Sequence, residues 1–318
     1  MEKIIQAIKE HSTFYIFGHV DPDGDCIGSQ LGLALFLNQI GKKTYLYSKG
    51  KFERQEIKLF QDRFADTFAP ADKDGAVIIV DCSTPERTGF ENEGICDFPT
   101  IVIDHHSSGE IYGDFQYVNP QASACTMLIL KLIEAMGEKP SKETAEILML
   151  GLCTDTGFFK HLTETGACAY RAAAKLTEYG ASTNKIYFEV NGNKKAATLK
   201  LISQALGRAT QYLDGRLIIT YETLEDYAEI PRECRDIDTV YPLLLATEGV
   251  LVAASVKEDA PDKVTVGLRT RSDSIDLGAA AAQLGGGGHK KAAGFKVMNS
   301  NAEAVVKLLV EHFSRILG

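Results

Sequence analysis

Two apolar runs closed by aspartate, AVIIVD at residues 76–81 and TIVID at 100–104, constrain the fold of this chain more than any other feature. Neither shows the polar alternation of a strand with one wet face, so both predict central strands covered on both sides. Two further β-rich runs, FYIFG at 14–18 and TYLYS at 44–48, alternate with helical patterns. This rhythm predicts an α/β fold: a mainly parallel sheet with helices on both faces. In open sheets of that kind ligands bind outside the carboxyl ends of the strands. Three of the runs end there in polar, acidic sequence: FGH leads into VDPDGD, IIV into Asp81, and IVI into Asp104, His105 and His106.

Helical patterns occupy 27–40, 123–136, 142–152 and 167–179, and Gly41, Gly137 and Gly180 stop three of them. The polar stretch EVNGNKK from Glu189 reads as a connection between lobes. The expected organisation is therefore a domain of residues 1–188, a linker of 189–196 and a smaller domain of 197–318. That second domain opens with a helix near 196–209, continues through LIITY, LVAASVK and KVTVGLRT, and closes, after IDLGAAAAQLGGGGHKKAAGF, in an amphipathic helix over 301–316. Strands and helices mix there without a repeated βαβ rhythm, which makes it α+β.

With 45% hydrophobic and 24% charged residues the chain has the composition of a globular protein and not of a disordered one. Charges at Glu2, Lys3, Lys9 and Glu10 fall where a signal peptide needs an apolar core, and no apolar run approaches a membrane span. A cytoplasmic protein is expected. Seven cysteines without a C-x-x-C pair suit buried thiols in a reducing compartment. A formal net charge of −9 opposes a grip on long duplex nucleic acid, which depends on clustered Lys and Arg.

The segment His19-Val-Asp-Pro-Asp23-Gly-Asp25-Cys-Ile-Gly-Ser29 sets one imidazole and three carboxylates within seven residues. Carboxylates so close repel one another, and a cation resolves the conflict. The same residues also make a polar turn whose aspartate caps a helix beginning near Ile27. A calcium-binding EF-hand loop fails, because the twelfth place holds Gly32 or Ala34 and no glutamate. Asp81, the Asp104-His105-His106 triplet and Asp155 in GLCTDTG repeat the metal-ligating chemistry along the chain. Ser29 and Cys26 have no evident base, so no covalent nucleophile is expected.

Taken in order, H-x-D-x-D-x-D-x-x-G-S, the strand-ending aspartate, D-H-H, T-D-T-G and G-G-G-G-H resemble the DHH phosphoesterase family with its DHHA1 domain, nearly end to end. Among members, the chain looks most like the stand-alone enzymes that degrade oligoribonucleotides of a few residues and dephosphorylate 3′-phosphoadenosine 5′-phosphate (pAp). The resemblance implies an active site in the cleft between the domains. His19, Asp23 and Asp81 would hold one ion there, and Asp25, Asp81, His105 and Asp155 a second, with Asp81 bridging. Mixed nitrogen and oxygen ligation favours two manganese ions over magnesium or calcium. A metal-activated water would attack phosphorus in line. His106 would contact the substrate phosphate and Asp104 would orient a ligand imidazole. Neighbours on an extended chain point opposite ways, so His105 and His106 cannot both face the ions without a turn.

The resemblance also implies a substrate-holding face in the second domain, made by Gly286, Gly287, Gly288 and His289 with Arg269, Thr270 and Arg271. Arg271, two residues along the predicted strand, would face the same side as Arg269. Many relatives carry serines around this arginine; here GLRTR stands instead, and Thr270 keeps a hydroxyl. The function implied is that of a manganese-dependent 3′,5′-bisphosphate nucleotidase and nano-RNA exonuclease. Its partner would be a short nucleotide, with no long duplex and no membrane, and a homodimer is allowed. The nearest rival is a phosphodiesterase for a cyclic dinucleotide or its linear product. Pyrophosphatase or polyphosphatase activity ranks lower, and a RecJ-type exonuclease needs a longer chain and a basic channel. A nucleotide-binding sensor without turnover would not need so complete a ligand set.

Overall fold

The computed structural model describes residues 1–318 other than 107–111, 163, 165, 229, 232 and 233. They divide into two compact units, Met1–Asn193 and Lys194–Gly318. The first unit runs α1 (Glu2–Glu10), β1 (Thr13–Phe17), α2 (Gly24–Gln39), β2 (Lys43–Tyr47), α3 (Gln55–Lys58), β3 (Ala76–Val80), β4 (Thr100–Asp104), β5 (Phe115–Val118), α4 (Cys125–Ala135), α5 (Lys142–Asp155), α6 (Ala167–Glu178) and α7 (Thr183–Asn191). Its strands form one sheet in the order β2-β1-β3-β4-β5, every neighbouring pair parallel.

Every residue of β1, β3 and β4 is buried, as continuous apolar runs require. Alternate side chains go to opposite faces. Phe14, Ile16, Ile78, Val80, Ile101 and Ile103 join the core made with the long helices. Tyr15, Phe17, Val77 and Ile79 meet Tyr47, Phe68, Phe90 and Ile95 on the other face, where 3-10 turns lie at Pro85–Thr88 and Ile95–Asp97. The sequence did not signal β5, because FQYV alternates half-buried and exposed positions at the sheet edge.

α2 and α5 touch almost backbone to backbone. A Cβ on Gly28 would lie 3.1 Å from both the Ile147 carbonyl oxygen and the Gly151 nitrogen, and one on Gly151 would lie 2.9 Å from Oδ1 of Asp25. The first turn of α2, with Asp25, is thereby seated against α5. That helix runs past the expected end at 152 and has Asp155 as its last residue. The stretch read as a linker from Glu189 likewise begins as helix. Ser182 caps α7 by accepting the Lys185 N–H, Ile186 is buried, and the helix continues to Asn191 before Gly192.

The second unit runs α8 (Ala196–Gly207), β6 (Thr210–Tyr212), β7 (Leu217–Glu222), α9 (Val240–Leu245), β8 (Val252–Ala260), β9 (Lys263–Thr270), α10 (Leu277–Ala282), β10 (Gly287–His289), β11 (Ala292–Met298) and α11 (Ala302–Leu317). The sheet order is β10-β11-β9-β8-β7-β6, antiparallel except for the β7–β8 pair. Residues of α10 and α11 pack on one face with Val264, Val266 and Leu268. Residues of α8 and α9 pack on the other with Ile218 and Ala253. Among the described residues no helix is long and apolar enough to cross a membrane.

Candidate metal centre

The strand order of the first sheet reverses between β1 and β3, the place where such sheets open a crevice at their carboxyl ends. His19 follows β1, Asp81 is the first residue past β3, and His105 and His106 follow β4. Asp81 takes a left-handed φ of 52°, a conformation that aspartate tolerates better than most residues. Asp23 caps α2, its Oδ1 accepting the N–H groups of Asp25 and Cys26 at 3.0 Å each. The capping aspartate anticipated near Ile27 and the expected ligand Asp23 are thus one side chain, and the helix begins three residues earlier, at Gly24. Asp25 is buried at 1% exposure. It accepts the N–H of Cys125 at 2.6 Å and the N–H and hydroxyl of Thr126 at 3.1 and 2.9 Å. The amino end of α4, with its exposed amide donors, stabilises that buried negative charge.

Asp81 divides its carboxylate between two groups of donors. Oδ2 lies 3.6 Å from Nε2 of His19, which is 4.0 Å from Oδ1 of Asp23. Oδ1 lies 3.3 Å from Nε2 of His105, which is 3.7 Å from Asp25 and 3.8 Å from Asp155. Bonds of about 2.1 Å to one small cation set neighbouring donors roughly 3 Å apart and opposite ones about 4.2 Å apart. The observed spacings fall within that range on both sides of Asp81. Oδ1 of Asp81 is buried and has no hydrogen-bond partner, a costly arrangement for a carboxylate oxygen unless a cation meets it. The imidazoles are set for the same purpose. Nδ1 of His19 donates to the Val20 carbonyl at 2.8 Å and Nδ1 of His105 to that of Ala122 at 3.2 Å. Each neutral ring therefore keeps its lone pair on Nε2, the atom that faces the carboxylates. This donor set fits two divalent cations that share Asp81.

The turn that His105 and His106 need if both are to face the carboxylates is present. The extended strand ends at Asp104, whose Oδ1 accepts the backbone N–H groups of His105 and His106 at 2.7 and 3.2 Å. The chain curls around that oxygen, and the two rings lie 4.8 Å apart. His106 Nδ1 comes within 3.7 Å of Asp81 Oδ1. A correction concerns Asp104. It holds Nδ1 of His106 at 2.7 Å, whereas His105 is held by a backbone carbonyl, so Asp104 orients the histidine expected to contact phosphate and not the ligand.

The electrostatics follow from crowding. Burial and the charges of Asp81 and Asp155 push Asp25 well above the usual carboxylate range, and burial raises Asp155 to about 6. Burial opposes charging of His19 and His105, but the Cys26 sulfur and Asp81 lift the first to about 12, and Asp81, Asp25 and Asp155 lift the second to about 10. The hydrogen bond that His106 donates to Asp104 raises its pKa. Among the described residues, protons on imidazole are the counter-charge paired with these carboxylates.

Sequence reasoning set Cys26 aside together with Ser29. The structure brings Cys26 Sγ, a ring nitrogen of His19 and an oxygen of Asp81 within 4.8 Å of one another. Its place after Asp25, on the first turn of a helix capped by Asp23, was the available signal.

In the second unit β9 pairs Arg269 with Ala292, and β11 pairs Ala292 with His289. Partners directly across strands share a face, so Arg269 and His289 lie in one row. The Arg269 guanidinium sits 4.6 Å over the Tyr241 ring and 3.4 Å from Asp238. Thr270 does not offer a free hydroxyl. It is buried, donates to the Leu251 carbonyl at 2.6 Å and accepts the Ser272 N–H. Arg271 lies past the end of β9, so strand alternation does not carry it to the side of Arg269. The second half of the glycine run, Gly287 and Gly288, lies in a short edge strand with His289, and Gly285 lies in the turn before it. Gly286 and Gly288 have a packing reason, since a Cβ on either would lie within 2.6 Å of the β11 backbone. A Cβ on Gly287, like one on Gly285, would meet nothing within 4 Å.

Residues 13–152 match the DHH family, N-terminal domain, and residues 232–316 match the DHHA1 domain. The chain is 28% identical over 315 residues to the bifunctional oligoribonuclease and PAP phosphatase NrnA of Thermus thermophilus, covering 97% of this chain and 91% of that protein. An exopolyphosphatase-related protein from Bacteroides fragilis shares the fold at a TM-score of 0.80 and 23% identity, with 99% and 96% of the two chains covered. RecJ from Thermus thermophilus, solved in complex with Mn2+, aligns at a TM-score of 0.52 and 15% identity, over 99% of this chain and 53% of its own.

Proposed function

The chain belongs to the DHH family, with a DHHA1 domain after the DHH domain, and on that premise we propose that it is a two-metal phosphoesterase acting on short oligonucleotides and on pAp. The observation that carries this reading is the divided carboxylate of Asp81, one oxygen towards His19 and the other towards His105. Similarity to the NrnA enzyme over nearly the whole of both chains supports the substrate class. Mixed imidazole and carboxylate donors support manganese, the ion bound in the RecJ relative of the same fold. The formal net charge of −9 supports a small anionic substrate over a long duplex.

His19, Asp23 and Asp81 would hold one ion, and Asp25, Asp81, His105 and Asp155 the other. Bound there, the ions would supply charge neutralisation at phosphorus and a water acidic enough to attack near neutral pH. The protein's own contribution is positioning. Val20 and Ala122 fix the ligand tautomers through their carbonyls, and α4 holds Asp25 in place. Oδ1 of Asp104 accepts a hydrogen bond from Nδ1–H of His106, which leaves Nε2 of His106 as the ring nitrogen that would meet the substrate phosphate. On the sheet of the second unit, Arg269, His289 and Gly287 would bind nucleotide phosphate through charge-assisted and backbone contacts.

Hydrolysis of pApA, pAp and cyclic di-AMP by the manganese-reconstituted chain, compared side by side, tests the assignment. Turnover of pApA and pAp with little of the cyclic compound is the expected result. Preference for the cyclic dinucleotide would replace the reading by its rival, and binding without turnover of any of the three would make the chain a sensor.

A further inference from the structure

The turn that follows Asp155 carries aromatic rings that the metal centre does not use. Gly157, Phe158 and Phe159 have φ values of 55°, 54° and 68°, a run of left-handed backbone that bulky residues adopt only at a cost. The turn is nevertheless well held. The Thr156 hydroxyl donates to the Leu152 carbonyl at 2.6 Å and accepts the Phe159 N–H at 3.2 Å, while the Phe158 N–H donates to Cys153 at 2.7 Å. The same helix end therefore fixes both Asp155 and the rings. Phe159 stacks on Tyr170 of α6 at 5.1 Å and 18°, and Phe158 meets Tyr187 of α7 edge-on at 5.2 Å. Tyr187 in turn meets Phe188 at 5.8 Å. Tyr170, Tyr187 and Phe188 are 56%, 49% and 58% exposed. The two helices that receive the turn's phenylalanines thus leave three large rings uncovered, and exposed apolar surface of that kind serves binding. Lys160 and His161 follow the turn directly.

We propose that this aromatic shelf stacks the bases of an oligonucleotide whose scissile phosphate lies at the metal centre, and so determines how well substrates of several residues are used. The inference rests on the phosphoesterase reading and extends it to substrate length. Its support is continuity: the shelf starts three residues past Asp155, on the backbone that positions that carboxylate. Every base has a π-face, so a ring surface favours single strands without selecting sequence. The rings form two stations, Phe159 with Tyr170 and Phe158 with Tyr187 and Phe188. The benefit therefore grows with the number of bases, and pAp, with one base, gains least.

The test uses the full chain at saturating manganese with pAp and with 5′-phosphorylated oligoadenylates of two to five residues, for wild type, Tyr170→Ala, Phe188→Ala and Tyr170→Phe. Loss of one stacked base lowers kcat/KM for the pentamer roughly five- to a hundredfold. Turnover of pAp stays unchanged, and Tyr170→Phe, which keeps the ring, retains use of the pentamer. An unchanged pentamer-to-pAp ratio in both alanine variants overturns the proposal, as does an equal loss on both substrates. A dimer in wild type that Phe188→Ala converts to monomer, with pentamer use intact, overturns it in favour of a contact between copies. Binding gives a readout independent of turnover: 2-aminopurine at the third residue of a pentamer is quenched on Asp81→Asn protein, and less so when Tyr170→Ala is added. If wild type hydrolyses none of these nucleotides the phosphoesterase reading fails, and the quench still decides the shelf.

Discussion

Crowding around Asp81 sets how its neighbours hold protons. Against the cost of burial, Cys26 and Asp81 hold the proton on His19 up to about 12, and Asp81, Asp25 and Asp155 hold that on His105 up to about 10. A metal needs the Nε2 lone pairs, and binding expels those protons. Manganese binding near neutral pH is therefore expected to release protons, measured by calorimetry as an enthalpy that changes with the buffer. Apparent affinity should rise about tenfold per pH unit for each proton displaced. An enthalpy independent of buffer would refute the displacement. The same shifts act on folding of the metal-free chain. Stabilisation from His19 and His105 is fully present below about 6.5 and is lost as pH rises through about 10 and then 12. Asp155, raised to about 6 by burial, costs the fold nothing below about 3.8, and the penalty for its buried charge develops as pH climbs from there through 6. The residues that gather around Asp81 were legible in the sequence because each stands just past a strand or at a helix end. Their orientation was not: the carbonyl that fixes His105 belongs to Ala122, seventeen residues on, and only folding brings it there.

Between α2 and α5, glycines do what no side chain could. A Cβ at Gly151 would lie 2.5 Å from Thr126 Cγ2 and 2.9 Å from Asp25 Oδ1. Gly151→Ala is expected to push α5 off the first turn of α2, costing about 1 to 3 kcal/mol of stability and weakening manganese binding. Gly207→Ala, where a Cβ meets nothing within 4 Å, is the control and should leave binding unchanged. Urea unfolding and metal titration measure both, and wild-type behaviour of Gly151→Ala would show that the close approach does not position Asp25. The buried strands could be read directly, because β3 and β4 are apolar without interruption. β5 could not, since its exposed alternation looks like a loop. The one local mark of α7 is the capping serine, Ser182, and its last turn, Glu189 to Asn191, was obscured by the glycine and polar residues that follow.

Across the whole molecule, the order of the motifs was enough to reach the family, and the matches at 13–152 and 232–316 agree with it. What the sequence could not show was availability: Thr270 spends its hydroxyl on Leu251, and Arg271 falls beyond the strand that was to carry it. Arg269 and His289 do share a row, because β9, β11 and β10 pair in register. The central claim is that two ions sharing Asp81 cleave short nucleotides. Its most direct measurement is turnover of pApA, with bound manganese counted, for wild type and Asp81→Asn. Asparagine accepts the left-handed backbone at this position and removes the shared charge. Wild type should bind two manganese ions per chain and cleave pApA, while Asp81→Asn keeps its melting temperature and loses nearly all turnover. Retention of more than about a tenth of wild-type turnover at saturating manganese would contradict the claim.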